Sequence, residues 1–332
     1  MKEILKRRVY TEERVNLLRS KLAGTEQLLL GRACVYATGS YGRREASGHS
    51  DLDLFIVGKT ASSKDGRKES MLSKLSEICV KADLIRTTRA VGIPDFDGDG
   101  KYLTHQPVHL LNETLGKPED DAINTFTARL LLLLESSPLL GKDVYDEIIR
   151  DVIAAYWGDY EDHPDDFIPA FLANDILRLW RTFCVNYEAR TERKPDEKKL
   201  KRKIKNYKLK FSRLMTCYSG LLYLLWAYGR KGTVGTDDML DMISRSPTAR
   251  VEYMENYNES SREIKECLRN RLEKHNSFLQ VTDAPEAKLL EQFGDRKYYV
   301  RYITEAREFG DLMFDAINLV GAKNKFHRLL LV

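Results

Sequence analysis

Between Val35 and Val57 the chain reads V-Y-A-T-G-S-Y-G-R-R-E-A-S-G-H-S-D-L-D-L-F-I-V. An apolar run, Ala33 to Ala37, has the character of a strand, breaks at Gly39-Ser40 and gives way to a second apolar strand from Asp51. Side chains alternate across a strand, so Asp51 and Asp53 leave one face while Leu52, Leu54 and Ile56 point to a core. Two adjacent carboxylates repel each other unless a cation lies between them. A hard divalent ion with oxygen ligands, Mg²⁺ or Mn²⁺, is the natural occupant. The preceding segment suits phosphate: Gly39 permits close backbone approach, Ser40 offers a hydroxyl and an N–H, and Gly42 with Arg43 and Arg44 adds flexibility and positive charge. A phosphate-cradling turn beside a metal-holding carboxylate pair points to phosphoryl or nucleotidyl transfer.

These residues carry a family resemblance. Gly-Ser, a spacer of about ten residues and then Asp-apolar-Asp-apolar resembles the polymerase-β-type nucleotidyltransferase superfamily. Within it, G-S-Y-G-R-R-E-A-S-G-H-S-D-L-D-L is most similar to the transferase domain of bacterial PII-protein uridylyltransferases and related nucleotidyltransferases. The resemblance implies a nucleoside triphosphate (NTP) substrate, Gly39 and Ser40 in the triphosphate-binding turn, and Asp51 and Asp53 as catalytic metal ligands. It also implies a third carboxylate ahead of a later strand. Asp99 is the candidate and Asp95 the reserve, although an Asp- and Gly-rich surface turn accounts for both. The Asp95, Asp97, Asp99 alternation is not a calcium loop, because Gln106 stands where its bidentate glutamate belongs.

The fold expected is α+β, a small mixed sheet with flanking helices followed by an all-helical domain. Strand-like segments cease near Gly116 to Ala122, which puts a transferase domain at 1–118 and a helical domain at 119–332. Helices are predicted over 1–31, with Gly24 as a stop, over 68–88, with Leu72, Leu75, Ile78, Cys79, Ala82 and Ile85 inward, and over 124–136, 143–157 and 170–187. Gly58 to Gly66 is expected to be a loop. On the helix from Ala170, Asn174, Asp175, Arg178 and Arg181 are neighbours, and Arg178 is a candidate contact to nucleotide. A solvated, salt-bridged face explains the same residues.

Charge matters here by position rather than sum. The chain carries 54 Lys/Arg against 50 Asp/Glu, too even a balance to dictate a partner. Ala189 to Arg213, however, holds twelve Lys/Arg against three Asp/Glu. Lys199, Lys201, Arg202 and Lys203 are candidate nucleic-acid contacts, with a plain solvated face as the bland alternative. Five scattered cysteines without a C-x-x-C pair are expected to be reduced thiols. The charged first nine residues contain no apolar signal core, and the longest apolar run, Leu130 to Leu134, is too short for a membrane span. A cytoplasmic protein with no membrane partner is the expectation. The acceptor stays open among an RNA or tRNA 3′ end, as in toxin- and defence-associated transferases, a protein residue, a small molecule and a signalling nucleotide. A non-catalytic nucleotide-binding or antitoxin-like module on the same fold is the contrasting class.

Overall fold

The computed structural model describes residues 1–96, 103–191 and 196–331. Helices α1 (Lys2–Lys21) and α2 (Ala23–Leu29) lead into strand β1 (Ala33–Thr38), a single helical turn α3 (Gly39–Gly42) and β2 (Asp53–Gly58). The predicted first helix is thus two, parted at Leu22 rather than stopped by Gly24. A hairpin of β3 (Thr60–Ser62) and β4 (Lys68–Ser70) replaces the loop expected after Gly58. Its strands are short and polar, so no alternation marks them in the sequence. Then follow α4 (Lys74–Ala90), β5 (His105–Pro107), α5 (Val108–Glu113), α6 (Glu119–Ala122), α7 (Thr125–Glu135), β6 (Ser137–Leu140) and α8 (Lys142–Tyr156).

The four-stranded sheet has the order β5-β2-β1-β6. β1 runs antiparallel to both β2 and β6, while β5 runs parallel to β2. All six residues of β1 are buried, as a central strand covered on both faces requires. Val35 and Ala37 join Leu54 and Ile56 in a core closed by Val15 and Leu18 of α1 and Val80 and Leu84 of α4. On the opposite face the Tyr36 ring stacks on Phe55, centroids 5.6 Å apart, and donates its hydroxyl to the Ala128 carbonyl of α7. Pro138 lies in the edge strand β6, opposite Tyr36 of β1, the kind of strand in which proline is tolerated.

Helix α4 starts later than predicted and turns a different face inward. Ser73 caps it by accepting from the Ser76 N–H at 3.2 Å. Val80 and Leu84 are buried, whereas Leu75 and Ile78 are 77% and 53% exposed and Cys79 is exposed as well. The helix carries two apolar stripes, and its approach from β4 through buried Leu72 selects the one that meets the sheet.

Residues 6–156 form one compact unit; Met1–Leu5 with Trp157–Val332 form the other. The division falls later than the 118/119 boundary, because α7 covers one face of the sheet and β6 completes its edge. The second unit is helical: α9 (Ala170–Thr191), α10 (Asp196–Lys208), a π-helical turn at Leu209–Arg213, α11 (Leu214–Lys231), α12 (Thr236–Ser244), α13 (Pro247–Asn256), α14 (Arg262–Val281), α15 (Glu286–Gly294), α16 (Arg296–Gly321) and α17 (Lys325–Leu331). Its core includes a cluster of rings in which Tyr207 meets Phe211, Phe278, Phe293 and Tyr302 at centroid distances of 5.0–5.5 Å. Among the described residues no helix is long and apolar enough to cross a membrane. All five cysteines are free, and burial pushes the Cys34 thiol up to about 12, which keeps it protonated and unreactive.

Candidate active site

The site begins where β1 ends. Thr38 is the last extended residue and pairs with Asp53, the first of β2. Gly39 then reverses the chain at φ +63, a conformation that side-chain-bearing residues rarely adopt. A Cβ on Gly39 would stand 2.5 Å from Asp53 Oδ2, so the turn backbone lies directly against that carboxylate. Gly39→Ala is therefore expected to displace Asp53 and add left-handed strain of about 1–2 kcal/mol. A melting curve shifted down, together with nucleotide transfer reduced by roughly tenfold or more, is the expected outcome. Wild-type transfer by this variant would show that the close approach is dispensable.

Asp51 lies in the extended lead-in to β2, not in the strand as predicted. The alternation nevertheless holds. Asp51 and Asp53 are exposed while Leu52 and Leu54 are buried, so both carboxylates leave the same side. On the turn itself, the Ser40 hydroxyl oxygen is buried and has no hydrogen-bond partner among the described residues. A buried hydroxyl left unsatisfied is costly, and one beside a carboxylate pair is suited to a ligand's phosphate oxygen.

Two carboxylates that sequence reasoning missed hold the turn from beneath. Glu135, the buried last residue of α7, accepts the Gly39 N–H at 3.1 Å and Arg43 Nη1 at 2.8 Å. Buried Glu45 accepts Arg43 Nε at 3.0 Å. Burial opposes charge on Arg43, yet Glu135 and Glu45 together more than offset it and hold the guanidinium firmly ionised. Arg43 thus faces inward and braces the turn; the neighbouring Arg44, at φ +59, is the exposed cation. Gly42 serves close approach rather than flexibility, since a Cβ there would overlap the Glu135 carbonyl. A faint signal for Glu135 was present: an acid ending an apolar helix opposes the helix dipole and calls for a cation elsewhere in the fold.

Gly39, Ser40, Arg43, Arg44, Asp51 and Asp53 therefore come together in one unit. Asp99 lies outside the described residues, and its reserve, Asp95, is exposed in a two-pronged ion pair with Arg89 at 2.6 and 3.0 Å. Among the described residues no group of three or more His, Cys, Asp or Glu side chains is placed to hold a metal ion. The donor set that is present, two oxygen-bearing carboxylates next to an unsatisfied hydroxyl and a bare glycine, fits a hard divalent cation with bound phosphate. Arg178, half exposed, has its Nη1 3.7 Å from Asp175 and belongs to the helical unit, as do Lys199, Lys201, Arg202 and Lys203. Lys201 pairs with Glu286 at 2.7 Å. Arg202 lies over the Tyr187 ring, and Lys203 Nζ stands 4.0 Å from the centre of the Tyr299 ring.

The site is thus a glycine turn at the end of a central strand, with paired carboxylates entering the next. Residues 20–104 match the family model described as a nucleotidyltransferase domain. That segment is accordingly a nucleotidyltransferase domain of the polymerase-β-type superfamily, carried on a mixed sheet with flanking helices and followed by a helical region. No curated protein and no solved structure matches the chain.

Proposed function

We propose that the protein transfers a nucleoside monophosphate from an NTP to an acceptor hydroxyl and releases pyrophosphate. The observation that carries this reading is the exposed Asp51 and Asp53 pair, with Asp53 lying against the Gly39 turn. The acceptor oxygen forms a bond to the α-phosphorus, the bond from that phosphorus to the bridging oxygen breaks so that pyrophosphate leaves, and the hydroxyl proton passes to water. Asp51 and Asp53, with Asp99 as third carboxylate, would hold Mg²⁺ or Mn²⁺. When bound, such an ion supplies positive charge that acidifies the attacking hydroxyl and stabilises the leaving pyrophosphate. Ser40 donates to the triphosphate through its hydroxyl and N–H. Arg44 neutralises charge from the solvent side. Glu135 and Arg43 do not touch substrate; they fix the backbone that does. Holding phosphate and acceptor in line is most of what a protein contributes to such a reaction.

The acceptor reading that the charge distribution favours is RNA. Incubating the purified protein with each labelled NTP, Mg²⁺ or Mn²⁺, and total RNA plus lysate tests both statements. Label in RNA, with pyrophosphate released, is the expected result. Label in protein or in a small molecule would keep the transfer and replace the acceptor. No incorporation from any NTP would leave a nucleotide-binding module without catalysis.

A further inference from the structure

Cations are concentrated in one part of the helical unit. From Lys199 to Arg213 the chain holds eight Lys/Arg and no Asp/Glu, against a net charge of +4 for the whole protein. The rest of the sequence is therefore net acidic, and the basic charge is segregated. Along α10, Lys201, Lys205 and Lys208 are exposed at successive spacings of four and three residues, one helical stripe. Ile204 and Tyr207 of the same helix are buried, and Tyr207 is locked into the cluster of rings below. The stripe is thus mounted on a rigid support.

Aromatic rings accompany these cations. The Arg202 guanidinium lies over the half-buried Tyr187 ring, and Lys203 over Tyr299. Beside Tyr299, Tyr298 is 45% exposed. Arg296 and Lys297 precede them in the first turn of α16, exposed and with no acid in that turn. Asp295 caps that end, its carboxylate accepting the Lys297 N–H at 2.7 Å. The acids nearby bind weakly. Glu286 on Lys201 is an exposed partner, and Glu188 stands 3.8 Å from Arg202 and is also exposed. Exposed pairs of this kind contribute little and are readily exchanged for phosphate.

We infer that the face formed by α10 and the start of α16 binds single-stranded RNA. Cations track its phosphates, while Tyr298 and the Arg202–Tyr187 pair offer flat faces to unstacked bases. An acidic peptide would satisfy the cations but leave those flat faces without a matching group. RNA binding at this face rests on the transferase reading and names its acceptor class, yet it is tested without turnover.

Fluorescence anisotropy with a labelled 12-nucleotide RNA, without NTP, over a series of salt concentrations supplies the test. The wild-type protein is expected to bind with a strongly negative log–log salt slope. Lys201→Glu, Lys205→Glu and Lys208→Glu together should weaken binding at low salt by at least about tenfold and flatten the slope by about 2, at roughly 0.7 for each phosphate no longer neutralised. Should the triple variant melt early, Lys205→Ala with Lys208→Ala should flatten it by about 1.4. Tyr298→Ala should weaken binding with the slope unchanged. An unaltered slope in a folded charge variant, or poly-glutamate bound as tightly as RNA, would overturn the inference; the second result would indicate an acidic protein partner. If Asp51→Asn protein still binds RNA and the wild type labels none, the surface stands and the transferase reading fails. If the wild type labels RNA without binding it at this face, the transferase reading stands and the surface fails.

Discussion

Asp51→Asn and Asp53→Asn, made singly, are each expected to reduce nucleotide transfer by at least about a thousandfold, roughly 4 kcal/mol of transition-state stabilisation. The measurement is the initial rate of label incorporation at saturating NTP and divalent ion. Asparagine keeps the shape of the side chain and removes the negative charge that would hold the cation. Both positions are exposed, so only a small change in stability is expected. The two variants should melt with the wild type. Apparent affinity for Mn²⁺, followed by electron paramagnetic resonance, should fall in parallel with activity. Either variant turning over at the wild-type rate would remove the metal assignment, and with it the chemistry proposed for the turn.

The largest effect on stability is expected at Arg129. It is fully buried on α7, as is its partner Asp120. Its Nη1 donates to Asp120 Oδ1 at 2.9 Å and to the Leu111 carbonyl at 2.7 Å, and its Nε donates to the Tyr156 hydroxyl at 3.0 Å. Asp120 also accepts from Thr125 at 2.8 Å. Arg129→Met strands that carboxylate in the interior, so a loss of about 3–5 kcal/mol is expected, read as a lower urea midpoint for the 6–156 unit. Adding Asp120→Leu should recover part of it, because the uncompensated charge then disappears. A single variant as stable as wild type would show that α7 is held by packing alone. The consequence reaches the candidate site, since α7 ends in Glu135, the acceptor of the Gly39 N–H.

Legibility differed sharply between neighbouring parts of one unit. The apolar face of α8 was readable because Val144, Ile148, Ile149, Val152 and Ile153 form a single stripe with no competitor, and all are buried. Helix α4 offered two stripes, and the sequence favoured Leu75 and Ile78, which the fold leaves in solvent. Strand β6, four residues containing a proline, falls below any periodic signal, so the first unit seemed to end near 118 when its sheet was still incomplete. Arg129 precedes the apolar run Leu130 to Leu134, but nothing in the sequence ties it to Asp120.

By itself the sequence determined the β1–turn–β2 element: the glycine where the backbone must turn left-handed, the serine beside it, and the alternation that sends Asp51 and Asp53 one way and Leu52 and Leu54 the other. Those features obey local rules, side-chain period and steric freedom of one residue, which act within a few positions of the chain. Only the tertiary structure decided that Arg43 turns inward to Glu135, 92 residues further on, and that Arg44 alone of the two faces solvent. A contact of that span depends on how α7 packs over the sheet, which is the outcome of burying many side chains at once.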